Sequence, residues 1–365
     1  MKDKSRKLKI FIIAGEVSGD TLGAELISAA NSRFNFVGVG GKKMTMAGLS
    51  SIFPISDLSV MGLVEVIMKM RTLSRRIRQT VDAIIRENPD IILTIDAPSF
   101  AARVIKKVKN NSTKKFRFYH VVAPQVWAWG ASRAKKYAEL FDKLFCFFDF
   151  EKPYFTKYGL NTTVIGYPFY DVVAREIKRM TKKYVTITPG SRLGETKRLM
   201  PVLKDFAEDH PEFDFAIPVT ETTSDFVKRE VKTWKIPVRI FSFEERFKLY
   251  NQTTFAIIKS GTTVAEMAIM HIPTVVVYRA NLITSVLAKF LLRIKYVTLP
   301  NILANKEIFP ELLGRYATAR NISGAISKWD TKKVISELVK IDGLWHKKEN
   351  SMKIVVDVIA KKSAN

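Results

Sequence analysis

The chain contains 365 residues, of which 47% are hydrophobic and 26% are charged, and its formal net charge is +25. This length favours two globular domains over one. No window approaches the roughly 20 uninterrupted apolar residues of a membrane span, so the sequence argues against an integral membrane protein. The single cysteine, Cys146, excludes an intramolecular disulfide framework and favours a reducing compartment.

The basic charge favours an anionic partner, since the chain has 60 Lys and Arg residues against 35 Asp and Glu residues. Nucleic acid, anionic lipid and a phosphorylated substrate would each be attracted, and charge alone does not choose among them. The chain has no zinc-finger spacing, no basic region leading into heptads and no aromatic stretch of the RNP type. We therefore predict that it binds no nucleic acid.

The first predicted element is a strand over residues 9–14, followed by the turn sequence GEVSGD and a helix. Basic residues precede this strand as in a signal peptide, but the apolar run is too short and continues directly into acidic residues. Gly15 and Gly19 permit a tight turn and the close approach of a ligand, and the unpaired amides near Ser18 favour an anion or a hydroxyl group. A tight turn without a ligand is the alternative.

The segment 58–78 predicts a helix with more apolar surface than one core face uses. Met61, Val64 and Met68 lie outside the helical stripe that would face the core, and four arginines follow between residues 71 and 78. This pattern favours reversible docking on an anionic lipid surface, with those three residues as membrane contacts. Residues 282–295 have a similar pattern. Ordinary buried helices are the alternative for both segments.

A carboxylate, Asp96, follows the predicted strand 91–95 directly. The carboxyl end of a parallel strand is where ligands of such sheets bind, so Asp96 is a candidate for chemistry. Capping of the next helix is its alternative role. The four histidines show no metal-ligand spacing, and we therefore predict no metal site and no cofactor.

Short, continuously apolar runs alternate with helical patterns along the chain. Because continuous hydrophobicity marks strands that are buried on both faces, the runs predict parallel sheets covered by helices. The predicted strands are residues 9–14, 91–95, 117–122, 164–166, 184–188, 214–219, 238–241, 255–259 and 274–278. The predicted fold class is therefore α/β, with doubly wound parallel sheets.

The alternation restarts after a charged segment at residues 171–183, which predicts a helix. We place an N-terminal domain at residues 1–170, a second domain at 171–345 and a helical tail at 346–365. Residues 331–362 predict helices that are broken at Gly343. Two consecutive doubly wound domains would face each other across a cleft lined by strand carboxyl ends.

The second half contains two turns suited to phosphate. Gly190, Ser191 and Arg192 follow the strand 184–188, and a guanidinium there suits a diphosphate. Ser260, Gly261 and Thr262 follow the strand 255–259 and open a helix whose start favours a phosphate by about 0.3–1 kcal/mol. Glu266, one turn into that helix, could accept hydrogen bonds from ribose hydroxyls. A surface salt bridge is the alternative role for Arg192.

Seven segments occur in the order found in lipid-A-disaccharide synthases, and the chain resembles that family over residues 9–313. The segments are AGEVSGD (14–20), MGLVEV (61–66), IDAP (95–98), PQVWAW (124–129), PGSR (189–192), SGT (260–262) with Glu266, and LPNIL (299–303). Each segment is weak alone, whereas the ordered set is specific.

The resemblance implies a GT-B fold with two Rossmann-like domains. It implies an inverting transfer from UDP-2,3-diacylglucosamine, held mainly by the second domain, to 2,3-diacylglucosamine 1-phosphate, which gives a β-1,6 disaccharide and UDP. It also implies that Arg192 contacts the diphosphate, Glu266 the ribose and Asn301 the nucleotide neighbourhood, and that Asp96 is required. The implied location is cytoplasmic, peripheral to the inner membrane, and a homodimer is left open.

We hypothesise that Asp96 is the general base that deprotonates the acceptor hydroxyl, with Glu16 as the alternative. Arg192 and the helix start at Ser260 would stabilise the departing diphosphate without a metal. The chain departs from the usual family pattern at five positions, which are Ser99, Ala101, Gly130, Tyr167 and Gly314.

Two other functions fit parts of the sequence. Another UDP-sugar enzyme of the same architecture, such as a UDP-N-acetylglucosamine epimerase or a different lipid glycosyltransferase, would bind UDP without using the acylated acceptor. A non-catalytic protein that binds anionic lipid or nucleic acid would explain only the charge and the amphipathic segments.

Overall fold

The computed structural model describes residues 6–58, 63–128, 130–279 and 294–361, with side chains in these ranges except at residues 63–69. The chain forms two compact units, one of Met1–Pro168 with His346–Asn365 and the other of Phe169–Trp345. The sequence placed the first boundary two residues later, and it treated the last twenty residues as a separate tail, whereas they belong to the first unit.

The first unit is built on a parallel sheet of six strands in the order β2-β1-β3-β4-β5-β6. The strands are β1 (Leu8–Ala14), β2 (Phe34–Val39), β3 (Ile91–Ile95), β4 (Arg117–Val121), β5 (Lys143–Cys146) and β6 (Asn161–Val164). All of β3 is buried, as is β1 from Ile10 onward, because helices cover both faces of the sheet. The strand order reverses between β1 and β3, which makes this the topological switch point of the unit.

Six α-helices accompany these strands among the described residues of the first half of the chain. They are α1 (Val17–Ala30), α2 (Lys42–Met46), α3 (Leu63–Glu87), α4 (Pro98–Asn111), α5 (Arg133–Leu140) and α6 (Lys152–Thr156). Helix α4 begins with Pro98, where the ring fixes a helical φ and no amide partner is needed. Helix α1 is capped at its carboxyl end by Asn31, which has left-handed backbone geometry.

The second unit contains a parallel sheet in the order β12-β11-β10-β7-β8-β9, which is the dinucleotide-binding order read from the other edge. Its strands are β7 (Tyr184–Thr188), β8 (Asp214–Val219), β9 (Val238–Ser242), β10 (Thr253–Lys259), β11 (Thr274–Tyr278) and β12 (Glu311–Leu313). The order reverses between β7 and β10, so the switch point of this unit lies at their carboxyl ends.

The helices of the second unit surround this sheet, and a last helix returns to the first unit. They are α7 (Tyr170–Arg175), α8 (Leu193–Asp209), α9 (Glu221–Val231), α10 (Arg246–Asn251), α11 (Thr263–Ile269), α12 (Leu299–Ala304), α13 (Ala319–Ile326), α14 (Thr331–Trp345) and α15 (Ser351–Lys361). Helix α15 packs on α1. None of the described helices has both the length and the apolar character that crossing a membrane requires.

Two helix predictions were wrong. The charged segment 171–183 is helical only in α7, and its second part is irregular because Asn251 holds the backbone there: Lys178 N donates to Asn251 Oδ1 at 2.6 Å. Gly343 does not interrupt α14, which continues to the buried Trp345. A single exposed glycine costs a helix only about 1 kcal/mol, which packing of the neighbouring turns offsets.

Each predicted strand overlaps an observed one, but β2, β5 and β12 were not predicted. Strand β2 was missed because Gly38 interrupts its apolar pattern. A Cβ at Gly38 would lie 2.0 Å from the carbonyl oxygen of Ile12, so only glycine allows β2 to pair closely with β1. Strands β5 and β12 have four and three residues, which is too short for a clear periodicity.

Candidate functional site

The switch point of the first unit brings the turn after β1 against the turn after β3. Ala14 and Ile95 are register partners in the sheet, so Gly15 and Asp96 leave it side by side. A Cβ at Gly15 would lie 2.2 Å from the Cβ of Ala97, and a Cβ at Gly19 would lie 3.0 Å from the carbonyl oxygen of Ile95. Gly15 is therefore required for the close packing of these two turns, and a side chain at Gly19 would press against the backbone of Ile95.

Asp96 is held by neighbours on both sides of the switch point. Ser18 Oγ donates to Asp96 Oδ2 at 2.7 Å, and the Ala97 amide donates to Asp96 Oδ1 at 2.9 Å. The Asp96 amide in turn donates to the carbonyl oxygen of Val121 at 3.0 Å. Because each carboxylate oxygen has about two lone pairs, the half-buried carboxylate keeps acceptor capacity for a further proton donor.

The backbone around Asp96 is unusual. Asp96, Ala97 and Val122 have φ values of 57°, 46° and 77°, in the left-handed region that costs non-glycine residues about 1–3 kcal/mol each. These residues lie at the carboxyl ends of β3 and β4. The N-cap of α4 is Ala97, and no side chain caps that helix, so the alternative role of Asp96 as a helix cap is not observed.

The two acids of the GEVSGD turn have different environments. Glu16 is the N-cap residue of α1 and is exposed, so its carboxylate is accessible to a ligand. Asp20 is buried and accepts hydrogen bonds from the amides of Gly41 at 2.7 Å, Lys43 at 3.0 Å and Met44 at 3.0 Å. Asp20 thus satisfies the amino end of α2, and the glycine-rich segment at residues 38–41 leads into that helix as a structural turn.

The switch point of the second unit contains the PGSR turn. Gly190 has φ of +111°, which favours glycine, and Ser191 and Arg192 are exposed. The Arg192 side chain is 57% exposed and its Nη1 lies 3.4 Å from Glu195 Oε1 on α8. The guanidinium is therefore close to solvent at the carboxyl end of β7, with only one weak internal partner among the described contacts.

A lysine that the sequence prediction did not single out lies between the two phosphate-type turns. Lys259 ends β10, is 16% exposed at its side chain and places Nζ 2.9 Å from Glu195 Oε2. A Cβ at Gly190 would lie 3.3 Å from Lys259 Cδ, and one at Gly261 would lie 3.9 Å from Nζ. The available sequence signal was a lysine that ends an apolar run directly before Ser260.

The SGT turn follows β10 as predicted by its position. The Ser260 amide donates to the Val277 carbonyl at 3.1 Å, and Thr262 is the N-cap residue of α11. Gly261 and Thr262 are exposed and Ser260 is half-buried. Because Ile258 of β10 is the register partner of Thr188 of β7, the SGT and PGSR turns leave neighbouring strands at the same edge.

Glu266 lies on α11 but is already paired. Its side chain is 12% exposed, and Arg246 Nε donates to its Oε1 at 3.2 Å. Burial raises the pKa of Glu266 and the Arg246 guanidinium partly opposes this. The Arg246 guanidinium lies 4.2 Å from the ring centre of Phe243 and 4.1 Å from that of Phe247. Glu266 is thus held by a guanidinium that itself packs against two aromatic rings.

The side chain of Asn301 has no hydrogen-bonding capacity left for a ligand. It is completely buried, and its Oδ1 accepts from the amides of Ile308 at 2.8 Å and Phe309 at 2.9 Å. Its Nδ2 donates to the Phe309 carbonyl at 2.8 Å and to Glu311 Oε1 at 2.9 Å. This geometry does not support a direct contact of the Asn301 side chain with the nucleotide, because all four of its hydrogen bonds hold the segment that leads into β12.

Three buried titratable groups of the first unit are outside the predicted site. Burial raises the pKa of Glu151 to about 7, although the hydrogen bonds that its carboxylate accepts from the amides of Phe148 and Phe147 act in the opposite direction. Burial also raises the pKa of the Cys146 thiol, which makes it a core residue rather than a nucleophile. Burial lowers the pKa of His120 to about 3. Within the described ranges, no cluster of three or more His, Cys, Asp and Glu side chains could hold a metal ion.

Most of the predicted membrane contacts are not among the residues that the structure describes. Met61, the side chains of Val64 and Met68, and residues 282–293 lie outside the described residues. Of the four arginines between residues 71 and 78, Arg76 is internal, since its Nε donates to Asp57 Oδ2 at 2.7 Å. The other three, Arg71, Arg75 and Arg78, are exposed.

Comparisons with known proteins agree with the ordered motifs. Residues 10–357 match the family model described as lipid-A-disaccharide synthetase. A lipid-A-disaccharide synthase of Rickettsia bellii (strain OSU 85-389) is 39% identical over 345 residues, which are 88% of this chain and 88% of the relative. The enzyme of the same name from Gluconobacter oxydans (strain 621H) is 35% identical over 337 residues, or 87% of this chain and 80% of the relative.

Solved structures show the same fold at low identity. S. aureus MnaA, in a co-structure with UDP, has a TM-score of 0.66 at 13% identity and covers 99% of this chain and 98% of its own. The Neisseria meningitidis UDP-GlcNAc 2-epimerase bound to UDP-GlcNAc has a TM-score of 0.65 at 13% identity, and the match covers 97% of this chain and 100% of the epimerase. Acinetobacter baumannii MurG has a TM-score of 0.59 at 14% identity, covering 97% and 99%. The architecture is therefore of the GT-B type.

Proposed function

The chain belongs to the lipid-A-disaccharide synthase family, and from that premise we propose that it is an inverting glycosyltransferase that uses UDP-2,3-diacylglucosamine as donor. The proposed acceptor is 2,3-diacylglucosamine 1-phosphate, and the products are the β-1,6-linked disaccharide and UDP. The observation that carries this proposal is the pair of phosphate-type turns, PGSR and SGT, on neighbouring strands at the switch point of the second unit.

Nucleotide binding by the second unit is supported by the chemistry at this edge. Gly261 and Thr262 of the SGT turn are exposed, and their amides and the half-exposed guanidinium of Arg192 supply donors for diphosphate oxygens. Ligands of doubly wound sheets bind outside the carboxyl ends of the strands where their order reverses, which is where both turns lie. Two of the structural neighbours are named with bound UDP or UDP-GlcNAc, which agrees with a uridine nucleotide.

The proposed reaction is a single displacement at the anomeric carbon of the donor. Asp96 accepts the proton of the acceptor 6-hydroxyl while that oxygen forms the new bond, and the bond from the anomeric carbon to the diphosphate breaks with its electron pair. Arg192 and the amides of the SGT turn stabilise the negative charge that develops on the departing UDP. Glu16, which is exposed at the start of α1, is the alternative base.

Contact with an anionic lipid surface is part of the proposal, because both substrates carry acyl chains. Met61, Val64 and Met68 are the proposed apolar contacts, and the exposed Arg71, Arg75 and Arg78 add about 1 kcal/mol each near anionic headgroups. We place the protein at the cytoplasmic face of the inner membrane as a peripheral enzyme. This location gives it access to two substrates with membrane-embedded chains.

A turnover assay tests the proposed reaction. The protein is incubated with both acylated sugars, with each alone, and with UDP-GlcNAc alone, in the presence and absence of EDTA. We expect UDP and disaccharide only when both acylated sugars are present, at rates that EDTA does not change. Epimerisation of UDP-GlcNAc without use of the acceptor would replace this proposal with the epimerase function.

Two variants then assign the base. We expect Asp96→Asn to lower kcat at least about 100-fold, the size of a general-base contribution, and Glu16→Gln to lower it much less. The reverse order would assign the role to Glu16.

Vesicle sedimentation tests the membrane contact. Replacing Met61, Val64 and Met68 together with Ser should reduce binding to vesicles that contain anionic lipid. The matched control replaces Ile335, Val339 and Leu344 with Ser, since these are exposed apolar residues of α14. Equal binding by the first variant and the wild type would refute the assigned contact.

A further inference from the structure

The Lys259 ammonium occupies a defined place at the switch point of the second unit. Its stem lies beneath the Gly190 turn and its Nζ lies beside Gly261, so the cation is close to both phosphate-type turns. Its side chain is 16% exposed, and Glu195 Oε2 is 2.9 Å from Nζ. A lysine withdrawn this far from water requires an anionic partner, because desolvation penalises the charged form.

Glu195 does not balance the charge of this site. Its second oxygen, Oε1, faces Arg192 Nη1 at 3.4 Å, so one carboxylate is shared between two cations. The Glu195 side chain is itself only 12% exposed, and the residue lies in the first turn of α8. The three side chains carry a net charge of +1, and the amides of the neighbouring turns add further positive potential. The site therefore retains attraction for an additional anion.

We infer that Lys259 is a second cation for the diphosphate of the nucleotide sugar, held in place by Glu195 between the PGSR and SGT turns. This inference rests on the proposed binding of a UDP-sugar by the second unit. Arg192 supplies a planar fork close to solvent, whereas Lys259 supplies a point charge set deeper at the end of β10. Charge on the leaving diphosphate grows during transfer, so Lys259 contributes to stabilising the departing UDP as well as to binding.

Affinities for UDP and uridine measure this contribution directly. The variant is Lys259→Met, which keeps an apolar stem and removes the charge, and titration calorimetry compares it with the wild type. We expect the Kd for UDP to rise about 10- to 100-fold, the effect of losing a hydrogen bond to a charged group, while the Kd for uridine is unchanged. Lys204→Met, at a lysine of α8 paired with Glu208, is the matched control and should bind UDP as the wild type does.

A second variant separates direct contact from repulsion by an unpaired Glu195. In Lys259→Met combined with Glu195→Gln, no uncompensated carboxylate remains. If Lys259 contacts the diphosphate, the double variant still binds UDP weakly. Recovery of wild-type affinity in the double variant would mean that Lys259 serves only to neutralise Glu195, and the inference would fail.

The outcomes also separate this inference from the proposed function. Tight binding of UDP by the wild type and equally tight binding by Lys259→Met overturns the role of Lys259 and leaves the proposed function standing. Failure of the wild type to bind UDP overturns the proposed function itself. Thermal unfolding of each variant confirms that a change in Kd is measured on folded protein.

Discussion

The hydroxyl of Ser18 donates to the carboxylate of Asp96 over 2.7 Å, and this bond joins the first turn of α1 to the turn after β3. Residues 78 positions apart in the chain are thereby fixed at one switch point. A carboxylate held in one orientation is ready to accept a proton from a substrate hydroxyl without first losing rotational freedom. Ser18 is therefore a positioning residue for the proposed base.

Removing this hydroxyl should slow turnover more than it weakens substrate binding. We expect Ser18→Ala to lower kcat about 10-fold, the lower end of the effect of a hydrogen bond to a charged group, with a smaller change in KM. Ser18→Thr should restore most of the rate, because it restores the hydroxyl. Steady-state kinetics check both, with Ser28→Ala as control, since the Ser28 hydroxyl also lies on α1 but donates to the Ala24 carbonyl.

The contact between Gly15 and Ala97 predicts a compensated pair of substitutions. Gly15→Ala should lower the free energy of unfolding by about 1–3 kcal/mol, because the new Cβ would lie 2.2 Å from the Cβ of Ala97. Combining it with Ala97→Gly removes the facing Cβ and should recover part of the loss. Urea unfolding of the four proteins of this cycle measures the coupling, and strict additivity would contradict the predicted clash.

Glycines with open surroundings should respond according to their backbone alone. Gly343 lies within α14 and Gly48 has φ of +104°, and a Cβ at either would meet no atom within 4 Å. We expect Gly343→Ala to stabilise the protein by about 0.5–1 kcal/mol and Gly48→Ala to destabilise it. Thermal unfolding gives both signs, and a destabilising Gly343→Ala would indicate that this turn of α14 is not a regular helix in solution.

The pair formed by Arg246 and Glu266 should be costly to break from one side. Arg246→Met leaves the buried Glu266 carboxylate without its cation, and we expect a loss of about 3–5 kcal/mol in the free energy of unfolding. The control is Lys340→Met, at an ion pair with Glu337 in which the lysine is exposed, and it should cost much less. Chemical denaturation measures both, and similar losses would show that Glu266 is better solvated than its burial indicates.

Glu151 should make stability depend on pH near neutrality. Its pKa is raised by burial from 4.5 to about 7, so the folded chain holds this proton more tightly than the unfolded chain does. The contribution is therefore fully present below about pH 4.5 and is lost as the pH rises towards 7, by an amount on the order of 3 kcal/mol.

Substitution isolates this effect. Glu151→Gln keeps an oxygen for the amides of Phe147 and Phe148 and removes the titrating group. Unfolding free energies measured between about pH 4.5 and pH 8 should show that the variant gains stability relative to the wild type as the pH rises. Parallel profiles for the two proteins would mean that Glu151 ionises at its ordinary pKa.

The sequence predicted those parts of the site that depend on local pattern. Turns that follow buried strands were identified at Gly15, Asp96, Gly190 and Ser260, because continuous apolar runs and glycines are visible without knowledge of the fold. Strand order then places each pair of turns at a switch point. Predicting a ligand site at these turns needed only the rule that ligands bind at the carboxyl ends of parallel strands.

Features that depend on distant partners were not predictable in the same way. The Asn301 side chain makes all its hydrogen bonds to groups seven to ten residues later in the chain. The motif that suggested a ligand contact therefore has a structural role at this residue. The role inferred for Lys259 depends on its ion pair with Glu195, 64 positions earlier, and on the interior position of β10 in the sheet. Asp20 is consumed in the same way by the start of α2. In each case tertiary hydrogen bonding decides the role of a residue that local pattern leaves ambiguous.

The packing of α15 on α1 has a consequence for synthesis on the ribosome. Helix α1 begins directly after Glu16, yet the helix that covers it is translated only after all of residues 169–345. The Arg33 and Asp357 ion pair, at 3.0 Å, links the same two ends of the polypeptide. The second unit can therefore mature while the nascent first unit still exposes an apolar flank, and chaperones would have that interval in which to protect it.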